Sequence, residues 1–359
     1  MNKSLEKMNH ALNTFLSILV AFFIGGILLK IIGYDPLSVY GTIIKGAFGS
    51  KYSIAKTLAK ATPLIFTGLS VFIADKCGLF NIGSEGQLLV GGLTAGYLGF
   101  LFSEIGVSGP IAILFLIIVS GIVGGLWGMI PGYFKATRNS NEFIVSMMLN
   151  YVAKFLCIYL VTYPMRDNSS VLSKTPDLIS KLQLNKLISG TQLNSGLIIG
   201  VIAIILSYWY FNNSISGFEM RMLGKSKFVA EAAGVNVKNK IILAFFISGF
   251  CAGLAGVIEV MGVHGYFLAD LSPGYGYDGI AVSVLAQGSS FGVGLSAILF
   301  GALRAGGSYL DFKTALPYEF VTILQALVIV FIALPFELKI IKQKSNELGT
   351  MGKRRQINA

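Results

Sequence analysis

Gly78-Leu79-Phe80-Asn81-Ile82-Gly83-Ser84-Glu85-Gly86-Gln87-Leu88-Leu89-Val90-Gly91-Gly92 is the stretch whose reading decides the fold. It sets a carboxylate, two side-chain amides and a run of glycines among apolar residues, with apolar sequence continuing on both sides. Glutamate is costly in hydrocarbon and glycine bares backbone polar groups. A membrane segment keeps such a cluster only where it packs against other helices or lines a polar path. The stretch therefore points to a chain that moves something across a bilayer, or helps it move.

Composition supports the membrane reading. Of 359 residues, 54% are hydrophobic and 13% charged, and the mean hydropathy is +0.72, more apolar surface than a soluble core of this size can hide. The 43 glycines fit the same class, because small residues let membrane helices approach closely. Cys77, Cys157 and Cys251 are far apart and read as small apolar residues, and His10 and His264 are too few for a histidine-based metal centre. The net charge of +11 reads as loops held against anionic lipid, because the basic residues lie on loops and the tail without interleaved aromatics; nucleic acid is not an expected partner. Lys3 and Lys7 precede an apolar run from Phe15 to Leu29 with no small-x-small cleavage site after it, which reads as a retained first membrane helix.

Ten apolar segments lie near 14–32, 62–75, 79–102, 109–133, 142–163, 196–211, 241–263, 277–290, 293–310 and 318–338. The expected fold is an all-α polytopic membrane protein of about ten transmembrane helices. The second and eighth segments are shorter than the ~20 residues a straight span needs and abut glycine-rich polar sequence, so some helices should be short or broken. Ten spans place both termini on one side. Lys135 and Arg138, the loop 213–240 with Arg221, Lys225, Lys227, Lys238 and Lys240, and the lysine- and arginine-rich tail fall on that same side, which the positive-inside rule makes cytoplasmic. The stretch 30–61 breaks the rule with five lysines on the outer side and reads as an amphipathic surface helix. The outer loop 164–195 reads as an external cap. Residues 1–342 read as one transmembrane domain, and 343–359 as a basic, disordered cytoplasmic tail.

Several motifs were weighed for chemistry. Gly224-Lys225-Ser226 resembles the end of a phosphate-binding loop, but the required upstream glycine position holds Glu219 and no strand precedes it, so the chain binds no nucleotide there. No nucleophile–base pattern or clustered carboxylates suggest an enzyme. Glycine pairs at four-residue spacing, Gly92/Gly96, Gly121/Gly125, Gly124/Gly128, Gly249/Gly253 and Gly288/Gly292, read chiefly as close helix contacts. The candidates for a polar seam are Asn81, Glu85, Gln87, Asn150, Glu259, Tyr277 and Asp278, with Arg304 a further intramembrane charge. Within 213–240, Met222 to Val235 reads as a short amphipathic helix, with Ser226 as N-cap, Gly234 as stop, and Phe228, Val229, Ala232 and Val235 as an apolar face suited to a partner's groove.

Several of these segments together resemble a known family. The opening stretch through Gln87, Asn141-Glu142-Phe143-Ile144-Val145-Ser146-Met147-Met148-Leu149-Asn150-Tyr151, Ala232-Ala233-Gly234-Val235, Ser248-Gly249 followed by Ala252-Gly253-Leu254-Ala255-Gly256, and Gly276-Tyr277-Asp278-Gly279-Ile280-Ala281-Val282 are similar to the membrane permeases of bacterial ABC importers. The match is to the branch that takes up simple sugars, branched-chain amino acids and nucleosides, and the first and last motifs look most like nucleoside permeases. The resemblance implies an importer transmembrane domain without a cofactor, paired with a second homologous permease subunit as a heterodimer. It also implies a cytoplasmic ABC ATPase docked on Gly224, Lys225, Phe228, Glu231, Ala232, Ala233 and Gly234, and an extracellular lipid-anchored binding protein that delivers a small polar solute. In many importers the glycine of the docking signature stands further downstream than Gly234 does here, so the docking role carries over without its detailed contacts. The alternatives are import of ribose-like sugars or branched-chain amino acids, an ion-coupled secondary transporter using Glu85 or Asp278 as a proton site, and a membrane scaffold or receptor without transport.

Overall fold

The structure, a computed structural model, describes residues 3–314 and 319–333. The expected tail 343–359 and the end of the tenth apolar segment lie outside the described residues. The helices are α1 (Lys3–Ile32), α2 (Pro36–Phe48), α3 (Lys51–Lys76), α4 (Ser84–Glu104), α5 (Pro110–Arg138), α6 (Glu142–Thr162), α7 (Gly196–Asn213), α8 (Ile215–Lys225), α9 (Lys227–Ala232), α10 (Val237–Ile258), α11 (Tyr275–Leu285), α12 (Ser290–Lys313) and α13 (Glu319–Ala333). A π-helical turn, Glu259–His264, extends α10. Among the described residues there is no β-strand, only the isolated bridges Lys174–Leu268 and Lys186–Asn194. Seven helices are long and apolar enough to cross a membrane: α3, α4, α5, α6, α7, α10 with its π turn, and α12. Leu16–Ile32 of α1, Glu319–Phe331 of α13 and the eleven-residue α11 are shorter apolar helices, so the all-α polytopic expectation holds.

Two sequence expectations change. The second segment is not short: 62–75 is the end of α3, whose 26 residues span about 39 Å. Lys51, Lys56 and Lys60 depress the hydropathy of its first turns, while Ala55, Thr57 and Ala59 between them are buried. For the same reason 30–61 is not one surface helix; it breaks at Gly49-Ser50, where the Ser50 hydroxyl caps α3 by accepting the Ser53 N–H at 3.1 Å.

The chain divides into two units, residues 1–40 with 318–359, and residues 41–317. In the first, α1 packs on α13 with Gly25 against Leu324, and the Tyr40 hydroxyl donates to the Phe22 carbonyl at 2.5 Å. The second is organised by glycine. Gly249, Gly253 and Gly256 of α10 wedge the helix between α5 and α4. A Cβ on Gly253 would stand 2.9 Å from the Ser120 carbonyl, and one on Gly256 would overlap the Leu88 carbonyl and the Gly92 amide. Gly124 and Gly128 meet the same stripe from α5, while Gly121 and Gly125 receive the rings of Phe250 and Phe246. Backbone-to-backbone approach of this kind is what small residues permit in membranes. Gly288/Gly292 is the exception: Gly288 has φ +72 in the turn after α11 and Gly292 lies in the first turn of α12, so their spacing marks a turn and not a helix face.

The loop 164–195 forms a cap at one end of this unit. Its main chain is stitched to the segment after α10: the Thr175 N–H donates to the Phe267 carbonyl at 2.9 Å, Leu178 to Gly265 at 2.8 Å, and Leu184 to Met261 at 2.8 Å. Leu193 packs beneath it on Ala55 and Ala59 of α3. Lys174 bridges Asp177 at 2.6 Å and Asp167 at 3.6 Å, and the contact with Asp177 raises its pKa.

Gly256→Ala should lower stability by about 1–3 kcal/mol through overpacking, whereas Gly41→Ala, which projects into open space, should be neutral. Thermal unfolding of the two purified variants in detergent checks the contrast, and equal melting temperatures would contradict the wedge.

Candidate functional site

α3 ends at Lys76, and the chain then turns back before α4 begins. Residues 78–83 are not helical, and Ser84, the first residue of α4, reaches Ser70 six residues inside the end of α3, their hydroxyls 2.9 Å apart. The connector 77–83 thus re-enters the bundle. Its backbone polar groups need partners, and a buried network supplies them. Asn81 Oδ1 accepts the Gly83 N–H at 2.8 Å, and its Nδ2 donates to Ser248 Oγ at 2.7 Å and Gln87 Oε1 at 2.9 Å. Ser248 in turn donates to the Ser70 carbonyl at 2.6 Å. From α6, Asn150 accepts the Gly86 N–H and donates to the Ile82 carbonyl, both at 2.9 Å. Asn81, Ser84, Gln87 and Ser248 are fully buried.

The second break lies between the π turn and α11. Ser272 Oγ accepts the Gly274 and Tyr275 N–H groups and so caps α11. Glu85 joins the two breaks: its Oε2 accepts the Gly276 N–H at 2.7 Å, and Ser272 hydrogen-bonds the same carboxylate. Two helix N-termini, those of α4 and α11, therefore converge on one carboxylate, where the partial positive charge of each helix start favours an anion. Gly276 is required there, because a Cβ would stand 2.5 Å from Glu85 Cα. Behind the junction Arg304 of α12 holds α11 in place. Its Nε and Nη2 reach Asp278 Oδ2 at 2.9 and 2.8 Å, Nη2 also donates to the Pro273 carbonyl at 3.2 Å, and the guanidinium lies 4.6 Å from the Tyr275 ring centroid.

A half-open cavity of about 420 Å³ opens at this junction. Glu85, Asn150 and Tyr277 line it, together with Tyr151, Lys154 and the 269–274 segment, which carries Asp270 and Ser272. The other sequence candidates lie elsewhere: Asn81 and Gln87 in the buried network, Asp278 against Arg304, and Glu259 in the π turn with His264 Nε2 at 3.6 Å. Lys154, Tyr151, Asp270 and Ser272 were missed as site residues. Lys154, a lone cation within the apolar run of α6, carried the signal that could have found it. The lining combines phenols, an amide, carboxylates and an ammonium group. It can hydrogen-bond a neutral polyhydroxyl or heteroaromatic solute on several sides while two rings contribute apolar area.

The segment expected to dock an ATPase holds two helices: α9 has the expected cap and stop, while Met222 to Lys225 belong to the preceding α8. Ser226, in extended conformation, ends α8 and caps α9, its Oγ accepting the Val229 N–H at 3.4 Å. Gly234, with φ +81, closes α9: its N–H reaches Glu231 and that of Val235 reaches Ala230, both at 3.0 Å. Ala230 is buried, whereas Phe228 is 79% exposed and Lys225, Glu231, Ala232, Ala233 and Gly234 are also exposed. Gly224 lies on the backbone of Gly78, so the segment rests directly on the connector.

Broken helices that meet at a polar cavity inside a bundle define a transport protein of the permease class. The family described as the branched-chain amino acid transport system permease component matches residues 53–333, and the chain belongs to it. Among its relatives, the guanosine ABC transporter permease protein NupP of Bacillus subtilis is 33% identical over 96% of this chain and 99% of its own. The glucose ABC transporter permease protein TsgB13 of Haloferax volcanii is 32% identical over 88% and 85%. The nucleoside ABC transporter permease protein NupB of Lactococcus lactis is 30% identical over 96% of both. A second guanosine permease protein of Bacillus subtilis, NupQ, is 23% identical over 69% of this chain and 79% of its own. The protein is an ABC transporter permease, a multi-pass membrane component of transport and not an enzyme.

Arg304→Met should leave the half-buried Asp278 unpaired and destabilise the chain by about 1–3 kcal/mol. Adding Asp278→Asn should restore most of that loss. Melting temperatures of the single and double variants test the pair, and additive losses would show that the two side chains act independently.

Proposed function

We propose that this permease imports nucleosides through the cavity at Glu85, Asn150 and Tyr277, in a plasma-membrane complex driven by a separate ATPase. The observation that carries the reading is the convergence of the two helix starts on that cavity. Its phenol, amide and carboxylate groups suit a base and a sugar in one solute. The guanosine and nucleoside transport named for NupP and NupB supports the same substrate class. A sugar is the second reading, favoured by the glucose transport named for TsgB13. In this scheme Asn81, Gln87, Glu259 and Asp278 hold the walls of the path, while Glu85, Asn150 and Tyr277 face the solute.

The partner subunits follow from the same reading. Two guanosine permease proteins in one Bacillus subtilis support pairing of this chain with a different permease. The exposed residues Phe228, Glu231, Ala232, Ala233 and Gly234, with Gly224 and Lys225 behind them, form the docking surface for a cytoplasmic ATPase. The cap 164–195 faces an extracellular, lipid-anchored binding protein. Both termini are then cytoplasmic, on the side of the basic segment 213–240. Closure of the ATPase pushes α9, the push reaches the 77–83 connector through Gly224 and Gly78, and α4 and α11 shift as a two-state element between outward and inward access.

Two measurements test this. Phe228→Asp or Ala232→Arg should abolish uptake and solute-stimulated ATP hydrolysis while membrane insertion stays normal; wild-type uptake would sink the docking assignment. Vesicles reconstituted with the full complex should accumulate labelled guanosine and exclude labelled glucose and leucine, and accumulation of glucose alone would establish the sugar reading instead.

A further inference from the structure

A second cavity, of about 280 Å³, lies at the joint between the docking segment and the bundle. Its walls are the start of the connector, Cys77 to Leu79, the end of α5, the docking helix α9 and the start of α10. It shares no lining residue with the solute cavity. Lys135, Lys227 and Lys238 line it, together with one acidic residue, Glu231. The existing pairs leave this charge incompletely matched. Lys135 reaches Glu142 at 2.9 Å, Lys227 and Glu231 stand 3.8 Å apart on an exposed surface, and Lys238 makes no ion pair or side-chain hydrogen bond among the described residues. Val237 and Lys238 also begin α10, whose N-terminal partial positive charge adds to the lysines; Asn236 caps that turn by accepting the Asn239 N–H at 3.1 Å. Lysines contributed by three helices around one small cavity make a place for a compact multivalent anion.

We propose that this cavity binds a phosphoryl anion, supplied either by free phosphate compounds or by the headgroup of an anionic phospholipid. Lys135 would hold it from α5, Lys238 from α10 and Lys227 from the docking helix, so that the bound anion braces the docking segment against the connector where Gly224 meets Gly78. The bracing role rests on the docking reading given above; the binding itself does not.

The test uses the full-length chain, purified in detergent and delipidated, titrated with inorganic phosphate by calorimetry. Saturable binding is expected for the wild type, weakened at least about tenfold, or 1.4 kcal/mol, in the Lys135→Gln/Lys238→Gln double variant and unchanged in Lys313→Gln. A second arm reconstitutes the chain in phosphatidylcholine vesicles with and without phosphatidylglycerol and measures lipid retained after re-extraction. Phosphatidylglycerol retained by the wild type and lost in the double variant, without phosphate binding, assigns the site to a headgroup. Phosphate binding without lipid retention assigns it to a free anion. Absence of both, or equal binding by wild type and double variant, overturns the proposal. Loss of guanosine uptake in vesicles whose phosphate binding is intact would count against the transport reading alone.

Discussion

A helix that starts inside a bilayer leaves backbone donors with no water to meet them, and the structure answers this at α11 with one carboxylate. Glu85 belongs to the first turn of α4 and accepts the Gly276 N–H from the first turn of α11, so a side chain of one helix start satisfies the backbone of the other. Everything around it serves that junction: Asn150 holds the connector's far edge, Ser272 caps α11, and Arg304 fixes α11 through Asp278 and the Pro273 carbonyl. Without such partners each free N–H in apolar surroundings would cost on the order of 1–3 kcal/mol, enough over a few groups to favour straight helices and no cavity.

The glycine stripe of α10 is the complementary constraint. It brings α4 and α5 within backbone contact and sets Ser248 where it can reach both Asn81 and Ser70. Close packing and polar satisfaction thus depend on the same helix. Interior packing passes displacement rather than absorbing it, so a push at the Gly78–Gly224 contact reaches a network with little room to yield.

The class of fold was legible in the amino-acid sequence because apolar segments of membrane length and intramembrane carboxylates carry their own cost. That 78–87 packs against other helices or lines a polar path was legible for the same reason. Hydropathy failed where lysines lie along a buried helix: the first turns of α3 read as surface because Lys51, Lys56 and Lys60 outweigh the small buried residues between them. Partition of the polar residues was not legible at all. Asn81 and Asn150 look alike in sequence, and only the fold puts the first wholly inside a network and the second at a cavity wall. The bounds of α9 were legible, Ser226 as its cap and Gly234 as its stop, whereas the inclusion of Met222 to Lys225 in the preceding helix α8 was not, because a serine that caps one helix can end the preceding one as well.

The cap is tied to the π turn and the segment after it, which leads into the cavity wall, by main-chain hydrogen bonds from Thr175, Leu178 and Leu184. Such bonds are indifferent to side-chain identity. The outward-facing surface of the cap is therefore free to diverge while its grip on the segment leading to Ser272 and Glu85 stays in register. An architecture of this kind separates the surface the cap presents from what the bundle holds within, so the cap can change without the cavity being rebuilt.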